Sequence, residues 1–298
     1  MQYTKLPISP ANAVRRLALK GLTIPDHAAA ENLIRFVSYF RLRGYCLPFM
    51  QTAPAGHLHG TRVFQPGATW DHIYQAYECD RVMRSAISLQ LERIEVAFRS
   101  VIVDHMAHKY GACFYGDVSQ GFAHKATEHM DWLIDCMKEI KRSGEHPIKR
   151  YFSTYTTPGM PPSWYVTEAI TFTKWALLYK MLTHDKGAIA NIFGIPPEVL
   201  DSWMHALAVL RNMCAHHSRL FGKKLTLQPT TLKKQRAEFA NPTSVYTQLA
   251  VIQILTKVID GNSDLSDTLR SLPRKFPLVN IESFYGIRPS WHLGDIWQ

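Results

Sequence analysis

The segment Arg211-Asn212-Met213-Cys214-Ala215-His216-His217 sets a guanidinium and an imidazole five positions apart, with four residues between them. These residue types suit cleavage of a sugar-phosphate link by the ribose 2′-hydroxyl. A base takes the proton from the hydroxyl. A cation holds the scissile phosphate while charge grows on it, and an acid protonates the departing 5′-oxygen. Histidine titrates near neutral pH and serves as base or acid. The planar arginine fork grips phosphate bidentately and keeps its charge. Asn212 can donate to a phosphate oxygen or orient the imidazole. The nucleophile belongs to the substrate, so this chemistry asks for no metal and no cofactor, and its need for a 2′-hydroxyl excludes DNA.

Spacing alone does not decide the matter. Arg and His separated by four to six residues occur as Arg211 with His216, Arg211 with His217, and Arg99 with His105, where chance supplies about 2.5 such pairs. On spacing only, the plainer reading is favoured: Arg211 a helix-surface cation, His216 a partner of the helix dipole. Five residues also turn through about 140° on an ideal helix. Arg211 and His216 therefore share a site only at a distorted helix end or across a dimer interface. The twofold arrangement, which brings two copies of the motif together, is the preferred expectation.

The charge around this segment is lopsided. Lys and Arg number 34 against 24 Asp and Glu, a formal +10. Between Asp201 and Glu238 there is no acid, but there are Arg211, Arg219, Lys223, Lys224, Lys233, Lys234 and Arg236. Such a strip suits a phosphate-rich polymer, or is a solvated basic face with no particular partner.

The elements that must position these residues read as helices. Apolar residues at helical spacing mark runs over 10–21, 26–42 (Leu33, Ile34, Val37, Phe40), 70–110, 123–142, 164–183, 196–217 and 243–260. A break or kink is expected inside 70–110 because of its length, and residues 47–68 read as loop or a short hairpin. The tail after Leu272 is expected to pack irregularly. Its Phe276, Phe284, Tyr285, Trp291 and Trp297 are expected to cover the chain's own helices rather than dock a partner. With weak strand signals, the expectation is an all-α helical bundle.

At 298 residues the chain is long enough to fold without disulfides or metal. Cys46, Cys79, Cys113, Cys136 and Cys214 are odd in number and irregular in spacing, as for buried thiols in a reducing compartment. No apolar run is long enough to span a membrane, and the first ten residues lack an apolar signal core, so a cytoplasmic protein with no membrane partner is expected. The sequence has no phosphate loop, dinucleotide fingerprint, HExxH or GxSxG. His57 and His59 lack further ligands nearby, so no metal site is expected there. Glu92 and Glu95 read as surface or ion-pair partners of Arg99 rather than as an acid/base pair.

Several segments carry a resemblance to a known family. They are Tyr39-Phe-Arg-Leu-Arg-Gly-Tyr-Cys-Leu-Pro-Phe49, Tyr77-Glu-Cys-Asp-Arg81, Glu92-Arg-Ile-Glu-Val-Ala-Phe-Arg99, Pro161-Pro-Ser-Trp164 ahead of Glu168 and Phe172, Leu210-Arg-Asn-Met-Cys-Ala-His-His-Ser-Arg-Leu220, and the tail from Trp291 to Trp297. In this order and over nearly the whole chain they resemble abortive-infection proteins of the AbiD/AbiF-like group, in the HEPN superfamily. The resemblance implies a single all-α domain over 1–298: an N-terminal helical extension (1–68), a HEPN-like helical core (69–222), and a C-terminal helix with aromatic tail (223–298). It implies a bacterial phage-defence or toxin role and metal-independent endoribonuclease chemistry. Arg211 and His216 would be the catalytic pair, with Asn212 the polar helper and His217 a second histidine able to assist. RNA would lie along Arg219, Lys223, Lys224, Lys233, Lys234 and Arg236. The expected partners are RNA, a second copy of the chain, and a cognate small RNA or antitoxin. The alternative is a non-catalytic RNA-binding or regulatory protein of the same superfamily.

Overall fold

The computed structural model describes residue 2 and residues 6–53, 61–261 and 263–298. Helices dominate. In chain order they are α1 (Pro10–Ala18), α2 (His27–Val37), α3 (Tyr39–Cys46), α4 (Trp70–Tyr110), α5 (Ala126–Arg142), α6 (His146–Thr154), α7 (Ser163–Val166), α8 (Phe172–Met181), α9 (Lys186–Ile192), α10 (Pro197–Ala215), α11 (Val245–Asp260), α12 (Leu265–Lys275) and α13 (Ile281–Tyr285). Two short strands, β1 (Met50–Thr52) and β2 (Arg62–Phe64), pair antiparallel with Met50 opposite Phe64. The fold is all-α apart from this hairpin. Among the described residues no helix is long and apolar enough to cross a membrane.

The chain forms two compact units, neither contiguous in sequence. One combines Met1–Arg84, Arg219–Lys223 and Asp267–Ile287. The other combines Ser85–Ser218, Lys224–Ser266 and Arg288–Gln298.

Local chemistry explains most boundaries. Ser9 and Asp26 accept hydrogen bonds from the backbone of Asn12 (3.3 Å) and Ala29 (2.9 Å), capping α1 and α2. The expected single run over 26–42 is two helices. Ser38 adopts φ 74°, ends α2, and its hydroxyl caps α3 by accepting from the Arg41 N–H. No Gly or Pro marks this break, so no breaker residue signals it. No break in the helical assignment interrupts 70–110: α4 runs over 41 residues. It contains neither Gly nor Pro, and Ile73, Ala76, Asp80, Met83, Ile87, Leu91, Ile94, Phe98, Ile102 and Met106 are all fully buried. Those steps of three and four bury one continuous stripe of the helix. The expected helix over 164–183 is split into α7 and α8 by residues 167–171. The tail is more regular than expected, since the last turn of α12 and all of α13 lie within it.

In the first unit the buried Asp80 is a hub. Its carboxylate accepts from Tyr45 Oη (2.7 Å), Tyr285 Oη (3.1 Å) and the backbone N–H groups of Leu220 (3.1 Å) and Phe221 (2.9 Å), and pairs with Arg84. In the second unit Glu238 plays the same part. It accepts from Arg288 Nη2 (2.6 Å), Trp297 Nε1 (3.3 Å) and the Tyr246 hydroxyl. Trp297 stacks on Tyr246 at 5.8 Å, so the tail's tryptophans cover their own unit, as expected. Burial raises the Glu238 carboxyl, but its hydrogen bonds to Arg288, Tyr246 and Trp297 outweigh that and hold it below its usual range.

Candidate functional site

Helix α10 positions the motif. Pro197 opens it with a fixed φ, and Glu198 sits near its positive end. Leu200, Trp203, Met204, Leu207, Leu210 and Cys214 are buried and fix its rotation. The Trp203 indole donates to Thr230 O at 2.8 Å. Arg211, one position past buried Leu210, is left half-exposed.

The Arg211 Nε donates to Glu95 Oε2 of α4 at 3.2 Å. Glu95 is nearly buried, and its other oxygen lies 3.8 Å from Arg99 Nη1, which also donates to Thr167 O at 2.6 Å. One carboxylate is thus shared by two guanidinium groups. They line a cavity of about 540 Å³ together with Ser88, Glu92, Glu168 and Ala215. The reading of Glu95 as an ion-pair partner of Arg99 holds, but its second bond, to Arg211 across 116 residues of chain, had no sequence signal. Arg99 and Glu168 are the further polar residues that sequence reasoning did not place beside Arg211.

Asn212 is turned to α8, where its Nδ2 lies 3.4 Å from Thr173 Oγ1. His216 is exposed and is the residue at which α10 ends, with φ −84° and ψ 11°. His217, also exposed, has φ 53°, and the Ser218 N–H reaches back to Met213 O at 2.8 Å. The His216 N–H still reaches Asn212 O at 2.9 Å, so α10 closes with an ordinary left-handed cap at His217 and within one chain Arg211 and His216 stay on different sides of the helix. His216 is not among the residues lining the Arg211 cavity. The other Arg–His pair is separated by its partners: Arg99 faces Glu95, whereas His105 Nε2 lies 2.7 Å from Asp185 Oδ1.

The basic strip divides between the two units. Arg219 and Lys223 belong to the first, where Arg219 donates to the Gly44 carbonyl and Lys223 is exposed. Lys224, Lys233, Lys234 and Arg236 belong to the second and are exposed, the last three on a 3₁₀ stretch, Lys233–Phe239. Among the described residues no group of three His, Cys, Asp or Glu side chains is arranged to hold a metal ion. His57 and His59 lie outside the described residues.

A family model described as Abi-like protein matches residues 32–222. The chain belongs to the Abi-like family. The match runs from the middle of α2 through α10, with Arg211, Asn212, His216, His217 and Arg219, and stops one residue before Lys223. No curated protein and no solved structure matches the chain. The Abi-like segment thus includes both Glu95 and Arg211, the two sides of the ion pair that closes the cavity.

Proposed function

We propose that this Abi-like protein is an endoribonuclease of the abortive-infection, phage-defence type, with a HEPN-like core, acting in the cytoplasm without metal. The observation that carries the reading is a half-exposed arginine in a polar cavity, with a solvent-facing histidine ending the same helix five residues later. His216 removes the 2′-hydroxyl proton and the 2′-oxygen attacks phosphorus. The bond to the 5′-oxygen breaks, and that oxygen takes a proton from a second acid, for which the twin His216 of a dimer and His217 are the candidates. Arg211 neutralises the charge that builds on the phosphate. Asn212 supports α10 through Thr173, and Arg219, Lys223, Lys224, Lys233, Lys234 and Arg236 hold the strand. A homodimer brings two motifs together, and a cognate small RNA or antitoxin restrains them.

The products carry 2′,3′-cyclic phosphate and 5′-hydroxyl ends. Total cellular RNA is incubated with the protein in EDTA and the ends are mapped. Cleavage by wild type, and at least 100-fold slower cleavage by His216→Ala and Arg211→Ala, is the expected result. Equal cleavage by all three, or none by wild type, overturns the proposal. One observation favours a second reading, a non-catalytic RNA-binding regulator: Arg211 already has a carboxylate partner. Salt-sensitive binding without cleavage is its signature.

A further inference from the structure

Phe40 stands where it has no structural reason to be. Helical spacing groups it with Leu33, Ile34 and Val37, yet its ring is 76% exposed, and that of Phe36, just before the Ser38 break, is 79% exposed. The break rotates α3 relative to the stripe of α2. Along α3, Phe40 and Arg43 lie three residues apart and share a face, continued by Leu47. Arg43 is exposed, and Leu47 partly so.

Cations of the same unit gather about Arg43 and Gly44 of this helix. Lys20, just beyond α1, is held below its ordinary pKa by burial, then by the nearby charges of Arg16 and Arg43. Arg219 lies over Gly44, one turn along from Phe40; a Cβ at residue 44 would sit 3.3 Å from its Cδ. Among the described residues none of these four cations is paired with a carboxylate. Like charges gathered without an internal partner cost folding energy, and an external polyanion relieves that cost.

We propose that the solvent face of α3, with Phe40 amid Arg16, Lys20, Arg43 and Arg219, is a docking platform for single-stranded RNA. Phosphates lie on the cations and a base stacks on the Phe40 ring. The inference rests on the RNA reading above and adds a binding surface to it. A second copy of the chain fits poorly, because a twofold contact here sets like charges against each other. A lipid surface fits less well than RNA: the apolar element is a pair of rings beside a helix break rather than a continuous helical stripe.

The test uses the full chain carrying His216→Ala, so that RNA is not consumed. Binding of a fluorescein-labelled 20-nucleotide uridine-rich RNA is followed by anisotropy across a salt series. Adding Arg16→Ala, Lys20→Ala and Arg43→Ala together is expected to weaken binding at least tenfold and to flatten the log–log salt slope by about 2. Phe40→Ala is expected to weaken it about tenfold, Phe40→Trp to restore it, and duplex RNA to be insensitive to either. Phe40→Ala leaves every cation in place, so it carries the test if the triple variant loses cooperative unfolding. Unchanged RNA affinity in the triple variant and in Phe40→Ala overturns the proposal. So does an equal effect of Phe40→Ala on duplex, or capture by phosphatidylglycerol vesicles that these variants abolish while RNA binding stays intact. If Arg211→Ala cuts RNA as well as wild type, the nuclease reading falls and the platform still stands on its binding data. If only the platform variants are silent, the reverse holds.

Discussion

Arg211 rests against Glu95 at 3.2 Å, and any phosphate must take that place. A partly exposed ion pair of this kind is worth about 1 kcal/mol. Glu95→Gln keeps a hydrogen-bonding oxygen but removes the competing charge. Its expected effect is RNA affinity about fivefold tighter, read by anisotropy in the His216→Ala background. Weaker binding would mean that Glu95 orients Arg211 rather than competing for it. Asp185 offers a separate residue-scale test. It is buried and accepts from His105 (2.7 Å), Lys109 (2.8 Å) and Tyr110 (2.8 Å). Burial raises its carboxyl, but the hydrogen bonds from Lys109, His105 and Tyr110 prevail and lower it. A carboxyl lowered by folding stabilises the protein above its unfolded pKa, and that stability fades as pH falls through the folded value. Asp185→Asn is therefore expected to melt below wild type at pH 7, with the gap closing below about pH 4 in a thermal pH series. A gap that persists in acid would assign the loss to packing instead.

At the scale of elements, Asp80 of α4 anchors the segment that follows the motif, since it accepts from the N–H groups of Leu220 and Phe221. Asp80→Ala strands buried Arg84 and is expected to cost about 3–5 kcal/mol in denaturant unfolding. A loss under 1 kcal/mol would show that water replaces the carboxylate. Helix identity was legible wherever an apolar stripe was long: α4, α5, α10 and α11 lie where periodicity put them. The break at Ser38 was not, because a serine at positive φ looks like any other serine. Nor was the unbroken assignment of α4, where length suggested a break but the buried stripe runs on without Gly or Pro. For the candidate site, the Arg211–His217 segment was visible as chemistry, and so was the Glu95–Arg99 pair. Their meeting was invisible, since it depends on how α10 lies against α4. Phe40 misled because the stripe that named it belongs to α2, and α3 begins on a new phase.

For the whole molecule, the mechanism proposed above calls for a twofold pairing of 34.1 kDa chains, which would supply two histidines to one phosphate. Light scattering is expected to give twice that mass. If guanidinium and imidazole come from opposite protomers, an equal mixture of the inactive Arg211→Ala and His216→Ala proteins recovers part of the cleavage rate. A monomer with full activity would locate the site within one chain. The two compact units are interleaved along the sequence, which bears on synthesis at the ribosome. The Arg211–His217 segment is translated about 70 residues before Ile287, which completes one unit, and about 80 before Trp297, which closes over Glu238 in the other. At about 5–20 residues per second those intervals last several seconds. During that time the nascent chain sits beside messenger and ribosomal RNA with neither scaffold finished. A product released before residue 267 lacks pieces of both units. Such premature termination products are expected to be harmless to the cell that makes them.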